Sequence, residues 1–314
     1  MAETHDLFQK FLREIKILSS KKDKMKTSKN ALRKKIRDYF KENHPEYVPK
    51  FFIQGSYKTK NGIRYKDDTA DLDDGVYFER EPDVTSTTLQ KWVYNAVEGH
   101  TTGGQQHKMK CIRVIYSGDY HIDLPVLYKT NEMDHPKLAV KNNGWADDDP
   151  KEFVDWFNAK KDIEGQLVRI SMYLKAWGDQ KRHSMPSGLS MTILAEKCIQ
   201  FNDRDDLCLK ETLEEIQSEL EYSWECKMPT TPHEDLFEDH DSVFQDNFMN
   251  SLDLFIQDAE EALETDSRKR ASKFWRKRLG DRFPLVEDED KESNSEFKRA
   301  SLAGVASLSK PWAK

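Results

Sequence analysis

Cysteine is scarce in this chain of 314 residues. Its four cysteines, Cys111, Cys198, Cys208 and Cys226, form no CxxC pair and no Cys/His cluster at zinc-ligand spacing. That excludes a disulfide framework and a zinc finger, and it fits a reducing compartment. Long apolar runs are missing as well, and the opening Met1-Ala2-Glu3-Thr4-His5-Asp6 has no apolar signal core. Neither a membrane span nor a secretory leader is expected, and the protein reads as cytoplasmic. Nor is there an excess of positive charge. Charged residues make up 34% of the chain, yet the net charge is −7, which argues against a broad nucleic-acid-binding face. No internal repeat is visible. The length suffices for a substantial core, in one large domain or two lobes.

What is present concentrates in two segments. Residues 54–78 read QGSYKTKNGIRYKDDTADLDDGVYF, and residues 120–128 read YHIDLPVLY. Leu72, Val76 and Phe78 share one parity, so 71–78 reads as a strand on which Asp71 and Asp73 project together while Asp74 points the other way. In the second segment Ile122, Leu124 and Val126 form an apolar face, with His121 and Asp123 opposite. Three carboxylates brought within a few Å repel one another unless a cation lies between them. Hard oxygen ligands suit Mg²⁺, and two such ions roughly 4 Å apart serve an in-line phosphoryl displacement. Gly55-Ser56 follows the apolar run Phe51-Phe52-Ile53 and is a candidate triphosphate cradle. Lys58, Lys60, Arg64 and Lys66 add positive charge nearby. An Asp-x-Asp alone means little among 57 acidic residues; its combination with the Gly-Ser turn and a strand aspartate carries the argument. The runs Asp147-Asp148-Asp149 and Glu287 to Asp290 read as solvated loop surface.

Helical spacing predicts helices over 5–18, 21–43 and 86–97, with strands at 50–54, 72–78, 111–116 and 120–128. The helix over 21–43 carries a run of lysines and arginines and reads as a spine whose basic face is solvated or binds a ligand. Residues 130–150 are polar, with Asn142-Asn143-Gly144, and mark a lobe boundary. Beyond it the chain reads as helical. A helix starts at Asp149-Pro150, an amphipathic one covers 163–177, and another covers 189–201 with Ser187 as its N-cap. An acidic loop spans 223–240, helices cover 243–264 and 267–279, and a mobile polar tail is expected over 287–314. Trp145, Trp156, Trp177 and Trp275 read as packing residues.

With these residues in view the chain resembles the CD-NTases, the cyclic-oligonucleotide synthases of bacterial CBASS antiphage defence, which are relatives of animal cyclic GMP–AMP synthase and oligoadenylate synthase. The resemblance covers roughly residues 20–285. It rests on the GS turn, DLDDGVYF, HIDLP, the stretch from WFNAKK to LVRISMYLKAWGDQ, PSGLSMTILAE and FWRKRLGDRFP, and is closest to the branches that make cyclic dinucleotides. It implies an α+β, two-lobed, Pol-β-like nucleotidyltransferase: an N-terminal helix over 1–20, a mixed-sheet catalytic lobe with the spine helix over 21–145, a helical lobe over 146–285 and a tail over 286–314. Asp71, Asp73 and Asp123 match the catalytic, metal-binding carboxylates, implying two Mg²⁺ ions with Mn²⁺ as substitute. Gln54, Gly55 and Ser56 match the phosphate-holding turn, Lys175 a lysine that reaches the donor triphosphate, and Ser187 or Ser190 a serine that does the same.

The implied substrates are NTPs, ATP first, with GTP or a pyrimidine NTP beside it. Accessory defence proteins are implied partners, among them a conjugating enzyme acting on the C-terminal tail, although Lys314 stands where a small terminal residue would. Without a zinc insertion, activation by double-stranded DNA is not expected. Two other readings stay open. One is a transferase acting on an RNA or tRNA end; the other is a catalytically silent nucleotide-binding module.

Overall fold

The structure is a computed structural model that describes residues 2–287; the predicted tail and its conjugation site lie outside the described residues. Ten helices and eight strands follow in chain order among them. They are α1 (His5–Ile15), α2 (Ser19–Asn43), β1 (Lys50–Gln54), α3 (Gly55–Thr59), β2 (Asp71–Phe78), α4 (Ser86–Ala96), β3 (Gln105–His107), β4 (Ile112–Tyr116), β5 (Tyr120–Leu124), β6 (Val126–Tyr128), β7 (Lys137–Val140) and β8 (Gly144–Asp147). Helices α5 (Pro150–Lys160), α6 (Gln166–Lys181), α7 (Gly188–Cys198), α8 (Asp205–Tyr222), α9 (Ser242–Glu264) and α10 (Arg268–Leu279) complete the chain.

One mixed sheet holds all eight strands, in the order β3-β4-β5-β2-β6-β7-β8, with β1 paired to β2. β2 is its organising strand. β1 runs antiparallel along it from Gln54 opposite Asp73 to Lys50 opposite Tyr77. Along its other edge β5 and then β6 run parallel in one register, with Asp71 opposite His121, Asp73 opposite Asp123 and Val76 opposite Val126. The expected single strand over 120–128 is therefore one line of pairing broken at Pro125, which has no N–H to give but whose carbonyl accepts from Val76 at 2.8 Å.

Two apolar cores sit on either side of the cleft. The first packs α2 and α4 against the sheet through Met25, Leu32, Ile36, Phe40, Leu72, Val76, Phe78, Leu89, Ile122 and Val126. The second is helical and gathers Leu167, Tyr173, Trp177, Leu209, Leu213, Phe255 and Trp275. Helix α1 belongs to that second core. Phe8 lies edge-on to Tyr173, Trp275 and Phe283 at 4.9–5.2 Å, so α1 packs against α6 and the α10 region.

Several sequence expectations need correction. Within the polar stretch 130–150 two strands escape the sequence reading, for Lys137–Val140 and Gly144–Asp147 form an antiparallel hairpin. Asn142 (φ 59°) and Gly144 (φ 76°) supply the left-handed backbone its turn requires. Helix α8 is not foreseen from the sequence, since its five glutamates and two aspartates obscure a thin stripe of Cys208, Leu209, Leu213, Ile216 and Leu220. Helix α6 starts at Gln166 rather than 163: Ile163 is fully exposed and Asp162 accepts the backbone N–H groups of Gln166 and Leu167. The basic helix α2 is not uniformly solvated either. Lys21 and Lys29 are buried, and Arg33 grips Asp74 with two hydrogen bonds, one from Nε at 2.7 Å. Asp74 is fully buried on the face opposite Asp71 and Asp73.

Candidate active site

The local sequence explains the convergence of the acids. Successive strand residues alternate faces, and residues opposite each other in a parallel pair share one. Asp71 and Asp73 on β2 and Asp123 on β5 therefore emerge together. They line a cleft of about 500 Å³ between the two cores, with Gln54, Gly55, Ser56, Tyr65, Asp148, Lys175 and Asp179 also on its wall. Gly55 is required there. Its φ is +60°, and a Cβ at that position would collide with the Asp73 carboxylate. The Gly-Ser turn thus lies directly against the acidic cluster.

The electrostatics are those of a site short of positive charge. Burial, and then the neighbouring Asp123 and Asp71, push the Asp73 carboxyl up to about 7. Burial also depresses the Lys175 ammonium to about 7, with Asp73 pulling it back up. Arg113 answers part of the deficit. It lies on β4 opposite Asp123 and donates from Nε and Nη2 to the two Asp123 oxygens, each at 2.7 Å; Nη2 is also 3.8 Å from Asp71 Oδ1. His121 Nδ1 lies 3.0 Å from Asp71 Oδ1, and burial together with Asp71 keeps the Tyr65 hydroxyl protonated.

Other side chains hold this frame across the two cores. Asn61 accepts from Thr59 Oγ1 at 2.6 Å and donates to Ser171 on α6 and Thr192 on α7, and its carbonyl takes a bond from Lys175 Nζ at 3.3 Å. The Tyr77 hydroxyl donates to Gln54 Oε1 at 3.2 Å. Ser187 caps α7 by accepting from the Ser190 N–H at 3.1 Å, and the two hydroxyls bond to each other at 2.9 Å. The cleft wall at that helix start is made by Pro186, Gly188 and Leu189. Elsewhere His135, Asp149 and Glu152 bring ligand atoms within 4.8 Å of one another. Asp149 is the N-cap of α5 and Glu152 accepts from the Thr231 N–H, so both carboxylates already serve the fold.

The sequence reading thus placed Asp71, Asp73, Asp123, Gln54, Gly55, Ser56 and Lys175, and the structure brings all seven to one cleft. It missed Arg113, His121, Tyr65 and Asp148. The signal for His121 was available, since it shares the Asp123 face, whereas Arg113 comes opposite Asp123 only through the strand order of the sheet. Asp148 corrects the solvated-loop reading of the run 147–149, because it lines the cleft.

Carboxylates on a mixed sheet beside a Gly-Ser turn, faced by a helical lobe, are arranged as in the two-lobed, Pol-β-like nucleotidyltransferase fold. Comparison with known proteins narrows this. Residues 49–127 match the family model described as the nucleotidyltransferase domain of DncV-like cyclic GMP-AMP synthase. A cyclic GMP-AMP synthase of Escherichia coli is 28% identical over 50% of this chain and 48% of its own, so the chain spans about half the length of that curated relative. Among solved structures, the Vibrio cholerae DncV cyclic AMP-GMP synthase superposes with a TM-score of 0.78 at 18% identity, covering 90% of this chain and 97% of that one. Escherichia coli DncV bound to 3′-deoxy GTP gives 0.73 at 21% identity, covering 86% and 93%. Residues 49–127 thus match a DncV-like nucleotidyltransferase domain, and the described residues share the fold of the DncV structures. No helix among the described residues is long and apolar enough to cross a membrane.

Proposed function

We propose that this protein joins nucleoside triphosphates into a cyclic dinucleotide, releasing pyrophosphate at each bond, as the signal-producing enzyme of an antiphage response. The observation that carries the proposal is the shared face of Asp71, Asp73 and Asp123 in one parallel register, with Gly55-Ser56 against Asp73. Vibrio cholerae DncV has been crystallised with a linear pppA(3′,5′)pG intermediate and with ATP and GTP, so ATP and GTP are the first substrates to try, with a pyrimidine NTP beside them.

The residues present fit a divalent cation. Three oxygen donors crowd together, one carboxyl is pushed up to about 7 by burial and then by its neighbours' charge, and a guanidinium already spans Asp123 and Asp71. Asp71, Asp73 and Asp123 would hold two Mg²⁺ ions, or Mn²⁺ in their place. Bound there, such ions lower the pKa of an attacking hydroxyl and neutralise a leaving pyrophosphate. The chain's own groups do the rest. The Gly55 backbone and Ser56 hydroxyl hold the donor triphosphate, Gln54 stiffens that turn through Tyr77, and Lys175 adds positive charge when protonated. Ser187 and Ser190 fix the start of α7 beside the nucleotide. Asp123, oriented by Arg113, accepts the proton of the acceptor ribose hydroxyl at a carboxylate oxygen. The new O–P bond forms as the bond from Pα to the pyrophosphate oxygen breaks. The linear product then turns end for end, and its remaining triphosphate meets the second hydroxyl to close the ring.

The test is incubation with each NTP combination and Mg²⁺, then phosphatase treatment and mass spectrometry. A phosphatase-resistant cyclic product is expected from the wild type, and none from the Asp71→Ala, Asp73→Ala double variant. Turnover in that variant would sink the proposal. A ribonuclease-sensitive labelled polymer would point instead to transfer onto an RNA end, and no product at all to a silent nucleotide-binding module.

A further inference from the structure

The run Asp147-Asp148-Asp149 divides its work unequally. Asp147 pairs with Lys137 Nζ at 3.0 Å across the β7–β8 hairpin. Asp149 caps α5, accepting from the Glu152 N–H at 3.0 Å, with His135 Nδ1 3.1 Å away. Asp148 between them has its backbone N–H bound to the Pro136 carbonyl at 3.2 Å, but its carboxyl accepts no hydrogen bond and forms no ion pair among the described residues. That carboxyl is on the wall of the cleft. Its flanks are held by a hairpin end on one side and a helix cap on the other.

The cleft wall comprises two chemically different sets. Gln54 to Ser56 and Lys175 suit phosphates, and the three aspartates suit the cations that accompany them. Pro150, Phe153, Leu189 and Met228 are apolar, with Phe153 and Met228 buried, and they suit the faces of a planar base. Asp148 lies two residues before Pro150 and lines the cleft together with that apolar set, whereas its charged neighbours Asp149, Lys151 and Glu152 do not. We propose that Asp148 reads the nucleobase, its carboxylate accepting the N1–H and N2–H₂ donors of guanine. Adenine presents an acceptor at N1 and a donor at N6, so an ionised carboxylate meets a lone pair at one of its two contacts and rejects it. Burial pushes the Asp148 carboxyl up to about 6, with Lys110 pulling it down and Glu234 and Asp149 adding to the rise. At neutral pH it is mostly ionised, the form that suits guanine. A buried polar group left unmatched by the wrong substrate is also the strongest source of discrimination a pocket has.

The inference rests on the nucleotidyltransferase reading of the cleft, yet binding measurements separate the two. The affinities of non-hydrolysable GTP and ATP analogues, with Mn²⁺ present, are measured by titration calorimetry for wild type, Asp148→Asn and Asp148→Ala. Thermal melting checks that each variant is folded, and pyrophosphate release is measured in parallel. The wild type is expected to bind the guanine analogue at least tenfold tighter. Asp148→Ala should level the two. Asp148→Asn, offering one acceptor and one donor, should reverse the preference toward adenine. An unchanged ratio in both variants, equal binding of the two analogues by the wild type, or binding of neither overturns the inference. Selective binding without pyrophosphate release would leave Asp148's role intact and refute the synthase reading instead.

Discussion

Replacing Asp73 by asparagine should make the metal-free protein more stable while abolishing its activity. The carboxyl is pushed up to about 7 by burial and by Asp123 and Asp71, against an ordinary value near 4. The folded state therefore holds its proton more tightly than the unfolded chain does. Between pH ~4 and ~7 the folded protein carries more bound protons, so its stability falls as pH rises. The loss is absent below that window and complete above it. At about 1.4 kcal/mol per tenfold change in proton affinity, the full penalty approaches about 4 kcal/mol. Water in the cleft, and the loss of Lys175's partner in the variant, bring the expected gain to about 1–3 kcal/mol. For a chain of this size that is roughly 2–8 °C in melting temperature.

The assay is thermal melting in EDTA at pH 5, 6.5 and 8, for wild type and Asp73→Asn, with pyrophosphate release measured separately in Mg²⁺. The advantage of the variant should widen across that series. Adding Mn²⁺ should raise the wild-type melting temperature more than the variant's, because a ligand stabilises only the state that binds it. A variant less stable than wild type at pH 8 in EDTA, or a gap that does not change with pH, would refute the reasoning.

Two further outcomes follow from the neighbouring charges. Asp74→Ala should cost about 3–5 kcal/mol in urea unfolding, because it strands the Arg33 guanidinium beside the buried face of β2; an Asp74→Leu, Arg33→Met pair should lose less. Lys175 is depressed to about 7 by burial, so in the free protein its positive charge is present below that pH and lost above it. Nucleotide affinity should accordingly weaken from pH 6 to 9 in the wild type, and Lys175→Met should bind about tenfold more weakly at pH 6 with a flatter profile in fluorescence titration.

Much of the site was written in short-range pattern. Alternation alone set Asp71 with Asp73 and turned Asp74 away, and the same parity exposed Asp123; these follow from the two-residue repeat of any strand. Gly55 could be suspected from its place after a strand, but only the fold shows the Asp73 carboxylate lying where its Cβ would be. The hairpin at 137–147 and helix α8 escaped notice because their apolar residues are few and their partners distant in sequence. Arg113 and Asp148 were invisible for a related reason. A lone arginine on a strand, or the middle of three aspartates, looks like solvated surface until strand order sets the first against Asp123 and the fold puts the second on the cleft wall. The sequence by itself decided which side chains share a strand face, since that depends on neighbours one and two residues away. Which faces meet, and how far the acids' proton affinities shift, was decided by the tertiary structure, because desolvation and Coulomb terms act through space between residues far apart in the chain.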